Sequence, residues 1–77
     1  MSTVPVLSGQ EVAQAFVRLG WVVARERSHI VLVREGHPAT LSVPNHREVA
    51  RGTLRSLIRK AGATVEEFRR AAGLRPH

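Results

Sequence analysis

Trp21-Val22-Val23-Ala24-Arg25-Glu26-Arg27-Ser28-His29-Ile30-Val31-Leu32-Val33-Arg34 is the stretch that decides the fold. It is β-branched and aromatic, and its apolar residues do not recur at the spacing of a helix face, so it predicts strands. Arg27-Ser28 interrupts the apolar run and divides it into a strand at Trp21–Arg25 and another at His29–Arg34. Glu35-Gly36-His37-Pro38 is a second turn, and Thr40-Leu41-Ser42-Val43 alternates as a third strand that Pro44 ends. Three short strands joined by turns predict an antiparallel meander.

Helical signals lie on either side. Ser8-Gly9-Gln10-Glu11 has the form of a capping box, and Val12, Ala13, Phe16, Val17 and Leu19 follow at helical spacing. Gly20 then supplies a stop, giving a first helix over Gly9–Leu19. Leu54, Leu57, Ile58 and Ala61 define a second helix over Thr53–Ala61, preceded by Gly52 and followed by Gly62. Thr64-Val65-Glu66-Glu67 is another capping box and opens a short third helix through Phe68 and Ala72, ended by Gly73. The order α-β-β-β-α-α, with apolar helix faces covering one side of a three-stranded sheet, is an α+β arrangement.

At 77 residues the chain predicts a single domain over residues 1–77, with its core at about 7–73 and a tail at 74–77. Hydrophobic residues make up 43% and charged residues 23%, too apolar for the signature of disorder. Cysteine is absent, which excludes disulfide scaffolds, cysteine-type zinc sites and thiol catalysis. No run is long and apolar enough for a membrane span, and Met1–Leu7 lacks the features of a secretory signal, so a cytoplasmic protein is expected. Net charge is +6, and residues 47–77 hold seven Arg and Lys60 against three Glu. Such a surface suits a polyanionic partner, either nucleic acid or an acidic protein.

Nothing matches a phosphate loop, a dinucleotide fingerprint or a metal-binding His pair, so no cofactor and no metal is expected. There is no Asp, and six scattered Glu offer no carboxylate-only site. Four His and eleven Arg remain, a set suited to phosphodiester chemistry. Histidine moves protons near neutral pH, and arginine stabilises phosphate charge. Arg51, Arg55 and Arg59, spaced by four, form one stripe along an edge of the second helix's buried face, with Lys60 on the other edge. An Arg row of this kind suits binding along an RNA backbone, although an ordinary solvated flank has the same spacing.

Five segments occur in one order: Ser8-Gly9-Gln10-Glu11, Leu19-Gly20-Trp21, Ser28-His29, Val43-Pro44-Asn45-His46 and Gly52-Thr53-Leu54-Arg55-Ser56-Leu57-Ile58-Arg59-Lys60-Ala61-Gly62. Together they resemble the HicA family, small toxins of bacterial and archaeal toxin–antitoxin pairs, over roughly Leu7–Phe68. The resemblance implies a fold like that of the double-stranded-RNA-binding domain. It implies a ribosome-independent endoribonuclease (an mRNA interferase) acting on messenger RNA and neutralised by a HicB-type antitoxin.

The family's catalytic histidine opens the second strand in a Gly-Ser-His segment, and His29 is the position that matches. Arg27 stands where the family has Gly, which predicts a wider turn and an extra cation beside the histidine. His46 matches the family's Pro-x-His position and is a possible second acid or base, or a residue that shapes the site. Arg25, Arg27 and Ser28, with Arg51, Arg55, Arg59 and Lys60, are the expected RNA contacts. His37, in a turn, is expected to be solvent-exposed, and His77 is assigned nothing. Two other functions suit the same residues: a non-catalytic RNA-binding module of the same fold, and an adaptor whose basic face binds an acidic protein.

Overall fold

The computed structural model describes residues 3–74. The elements are α1 (Gly9–Arg18), β1 (Val22–Glu26), β2 (His29–Val33), β3 (Leu41–Pro44), α2 (Arg51–Lys60) and α3 (Val65–Ala71). The strands form one antiparallel sheet in the order β1-β2-β3, so both β1 and β3 are edges. The expected α+β class and element order are those observed. The order is also compatible with a double-stranded-RNA-binding-domain-like fold.

Local chemistry sets the helix ends. The Ser8 hydroxyl accepts the Glu11 amide at 3.1 Å, and the Glu11 carboxylate accepts the Ser8 amide at 2.9 Å. Thr64 and Glu67 repeat this reciprocal pair before α3. At the other end of α1, Gly20 N–H donates to Val17 and Trp21 N–H to Phe16, the bond pair of a Schellman stop. Gly20 adopts φ +100, a conformation that an L side chain resists. The same bond pair closes α2 through Gly62 and Ala63, and α3 through Gly73 and Leu74.

The core lies on one face of the sheet. Ile30, Leu32, Leu41 and Val43 point into it and meet Val12, Ala13, Ala15 and Phe16 of α1 and Leu54, Leu57 and Ile58 of α2. Helix α1 packs under all three strands, α2 packs under β3, and α3 packs against both helices. At seven residues α3 is too short to persist alone. Phe68, its one buried residue, sets its ring 5.1 Å from that of Phe16. Burying such a side chain contributes about 1.5–3 kcal/mol. Val4, from the segment before α1, is also buried in this core.

Several boundaries differ from expectation. Trp21 lies outside β1 and is buried instead, with its ring 4.8 Å from that of His37. His37 is accordingly half-buried rather than solvent-exposed, and its Nδ1 accepts the Ala39 amide at 3.1 Å. Pro44 is the last residue of β3, where an edge strand tolerates the missing donor. Helix α2 starts at Arg51, two residues before Thr53, because Gly52 is open to solvent and continues the helix without conflict. The expected tail residues 75–77 lie outside the described residues, while Leu74 is half-buried and donates its amide to Arg69.

Candidate active site

His29 opens β2, with Pro44 of β3 as its cross-strand partner. Strand side chains alternate, so Ile30 and Leu32 in the core place His29, Val31 and Val33 on the opposite, open face. His29 is exposed there. Ser42 faces Val31 across β3 and belongs to the same open surface.

A β-bulge decides what β1 adds. Val22 pairs with Val33 and Val23 with Leu32, but Arg25, not Ala24, pairs with Val31, and Glu26 pairs with Ile30. Ala24 is therefore an extra residue. Strict alternation from Val22 would place Arg25 on the core side. The bulge turns Arg25 to His29's face and sends Glu26 to the other. Arg27 follows Arg25 by two, and its amide donates to the His29 carbonyl at 3.0 Å, which closes the hairpin directly across from His29. Arg25 and His29 thus share one end of the open face, Arg27 lies in the turn beside them, and all three are exposed.

The hairpin turn does not need the glycine that the resemblance implies. Among the described residues only Gly20, Gly36, Gly62 and Gly73 have positive φ, so Arg27 occupies ordinary backbone. The turn spans residues 27–29 between paired Glu26 and Ile30, and it is pinned from outside. Asn45 N–H donates to the Ser28 carbonyl and Asn45 Nδ2 to the Arg27 carbonyl, each at 3.0 Å. Gln10 Nε2 donates in turn to Asn45 Oδ1 and to Glu26 Oε2, both at 3.3 Å. The Ser28 hydroxyl lies a long 3.5 Å from His29 Nδ1.

Gly9 makes this closeness possible. Its amide donates to the His46 carbonyl at 2.9 Å, and a Cβ at Gly9 would collide with the Pro44 carbonyl oxygen. His46 is exposed and follows Pro44 by two residues. Its Cα is therefore no more than about 13 Å from that of His29. Arg51, Arg55 and Arg59 lie exposed along α2, with Leu54, Leu57 and Ile58 buried beside them, and Lys60 is exposed at its end. The N-cap of α2 is Ala50, which supplies no side-chain hydrogen bond, and its first turn has no acidic residue. A shallow depression lined by Arg18, Leu19, Glu67, Arg70 and Ala71 contains none of these residues.

Sequence reasoning missed Asn45, Gln10 and Ser42 as parts of this region. Asn45 carried a signal, since an Asn after Pro in a loop commonly bonds backbone groups. Gln10 and Ser42 carried none. A family described as "HicA toxin of bacterial toxin-antitoxin" matches residues 9–63, well over half of the chain. The chain belongs to the HicA toxin family. The matched span runs from the first residue of α1 to the residue after Gly62, and it includes His29, His46 and the α2 arginines. Membership in a toxin–antitoxin family implies a toxin role and an antitoxin partner. A comparison with curated proteins gives no match. Among the described residues no helix is long and apolar enough to cross a membrane, and no three His, Cys, Asp or Glu gather as metal ligands.

Proposed function

We propose that this HicA-family chain is a ribosome-independent, metal-independent endoribonuclease that cleaves mRNA in the cytoplasm and is silenced by a HicB-type antitoxin. One observation carries the proposal: His29 stands exposed on the open face of the sheet, with Arg25 on that same face and Arg27 exposed in the adjoining turn. In the reaction, the 2′-OH of one nucleotide attacks the adjacent phosphorus. His29 takes the hydroxyl proton, the O2′–P bond forms and the P–O5′ bond breaks, leaving a 2′,3′-cyclic phosphate. The leaving O5′ is protonated by His46 or by water. Arg25 and Arg27 stabilise the charge that builds on the phosphorane oxygens. A positioned proton carrier contributes about 10²–10⁴-fold to the rate.

The test compares the wild-type protein with His29→Ala on a single-stranded test RNA in the presence of a chelator. Wild-type cleavage that disappears in the variant is the expected result. An antitoxin with an acidic contact surface would gain association rate from the +6 charge of this chain. His29 is exposed and adds nothing to the core, so His29→Ala keeps antitoxin affinity within about tenfold, roughly 1.4 kcal/mol. Cleavage that survives in His29→Ala removes this residue from the mechanism and transfers the role to His46. Wild-type protein that binds the RNA without cutting it makes the chain a non-catalytic RNA-binding module. Absence of RNA binding even at low salt leaves the protein-binding adaptor.

A further inference from the structure

The loop that carries His29 has little of its own to hold it. Arg27, Ser28 and His29 are all exposed, so no buried side chain anchors the turn. None of the three has the positive φ that marks the tightest hairpin turns. One bond, from the Arg27 amide to the His29 carbonyl, closes the turn from within. Yet a general base must be held within hydrogen-bond reach of the proton it takes, and an ångström of misplacement is costly in rate.

Asn45 supplies the missing restraint. Its backbone amide takes the Ser28 carbonyl and its side-chain Nδ2 takes the Arg27 carbonyl, so one residue grips two successive peptide groups of the turn. The other end of its amide is also occupied, because Oδ1 accepts from Gln10 Nε2. With donor and acceptor both engaged, the amide has a single favourable orientation. Gln10 belongs to α1, whose first residue, Gly9, donates to the His46 carbonyl. The hairpin tip is thereby tied to a capped helix through a residue that lies 18 positions from Arg27 and 35 from Gln10.

We propose that Asn45 is a positioning residue for His29, acting through the Arg27–Ser28 peptide groups and oriented by Gln10. The inference rests on the nuclease reading above and deepens it. Asn45 touches no reacting atom; its effect is to keep the imidazole in register with the phosphate held by Arg25 and Arg27. The Nδ2 donor, rather than the volume of the side chain, is the operative group. Asn45→Asp, which keeps size and the acceptor toward Gln10 but removes the donor, should behave like Asn45→Ala.

The experiment uses the full chain and two readouts on Asn45→Asp, Asn45→Ala and Gln10→Ala. Gln10 is exposed on α1, so its replacement by a good helix former leaves the fold in place and removes its side-chain bonds to Asn45 and to Glu26. The first readout is the backbone ¹⁵N order parameter of Arg27, Ser28 and His29. It should fall from near 0.85 toward about 0.6 in both Asn45 variants, and by less in Gln10→Ala, with the strands unchanged. The second is cleavage of the single-stranded test RNA. The value of kcat should fall about 10- to 100-fold in the Asn45 variants while KM stays within about threefold, because binding by Arg residues is retained and alignment is lost. Order parameters that stay at wild-type values overturn the proposal, as does a loosened turn with unchanged kcat. Recovery of full activity in Asn45→Asp overturns the donor assignment. A wild-type protein that cleaves no RNA refutes the nuclease reading before any variant is made, so the two failures are told apart.

Discussion

Gly9→Ala is the sharpest test of how the site is assembled. A Cβ at Gly9 would collide with the Pro44 carbonyl oxygen and lie 2.9 Å from the Asn45 Cα and 3.1 Å from the Pro44 carbonyl carbon. These are backbone atoms and cannot rotate away. Carbon contacts settle near 3.5–4.0 Å, so α1 and the 44–46 loop must separate by roughly 1 Å. That movement stretches the Gly9–His46 hydrogen bond, now 2.9 Å, beyond useful length. Losing it removes about 0.5–1.5 kcal/mol, and the overpacking adds about 1–3 kcal/mol. Reduced freedom of the unfolded chain returns about 0.4–1 kcal/mol. The net is a destabilisation of about 1–3.5 kcal/mol, which at about 4–8 °C per kcal/mol lowers Tm by roughly 4–28 °C. Thermal unfolding followed by circular dichroism, and urea unfolding followed by the fluorescence of buried Trp21, measure it. Gly52→Ala is the matched control: nothing lies within 4 Å of its added Cβ, so it should stabilise by up to about 1 kcal/mol. A Gly9→Ala protein with Tm within about 3 °C of wild type, or two variants shifting in the same direction, would refute this account of the α1–loop contact.

Two further outcomes are expected. Replacing Arg55 and Arg59 together by Ala should weaken RNA binding regardless of sequence and flatten its salt dependence by about 0.7 in log–log slope per lost single-strand contact; an unchanged slope would make the α2 stripe a solvated flank. The Glu11 and Glu67 carboxyls are held below their ordinary value of 4.5, first by the backbone amides of Ser8 and Thr64 and then by the hydroxyls of those residues. Folding depresses both, so their contribution is fully present above about pH 4.5 and is lost as pH falls through the lower folded-state values. Tm measured from pH 6 to pH 2.5 should therefore fall on the acid side, with a smaller drop in the double variant Glu11→Gln, Glu67→Gln; equal drops in the two proteins would contradict the cap assignment.

Much of the architecture could be read along the chain because the interactions that create it are local. The two capping boxes span four residues each, and the glycine stops act within one turn, so Ser8, Thr64, Gly20 and Gly62 mark helix ends wherever the chain goes. Misplaced boundaries arose where local signals were weak. Gly52 reads as a breaker although it lies inside α2, and Trp21 reads as a strand residue although its ring is spent on the core and on His37. His37 looked like an exposed turn residue because nothing in its neighbourhood announces a tryptophan sixteen positions earlier.

By itself, the sequence determined the helix–strand order, the single apolar face of each helix, the basic charge and the inventory of His and Arg around Ser28-His29. It could not determine which of those groups share a face. In a strand that depends on counting by two from a cross-strand register, and one extra residue inverts the result. Ala24 is that residue: the register of β1 on β2 makes it a bulge, turns Arg25 to the face of His29 and turns Glu26 away. The same holds for the Asn45 grip on the hairpin and the Gly9 contact with Pro44, which join segments far apart in the chain. Short-range hydrogen bonds are written into neighbouring residues; the bulge and the distant contacts exist only once α1 and the strands have packed around a common core.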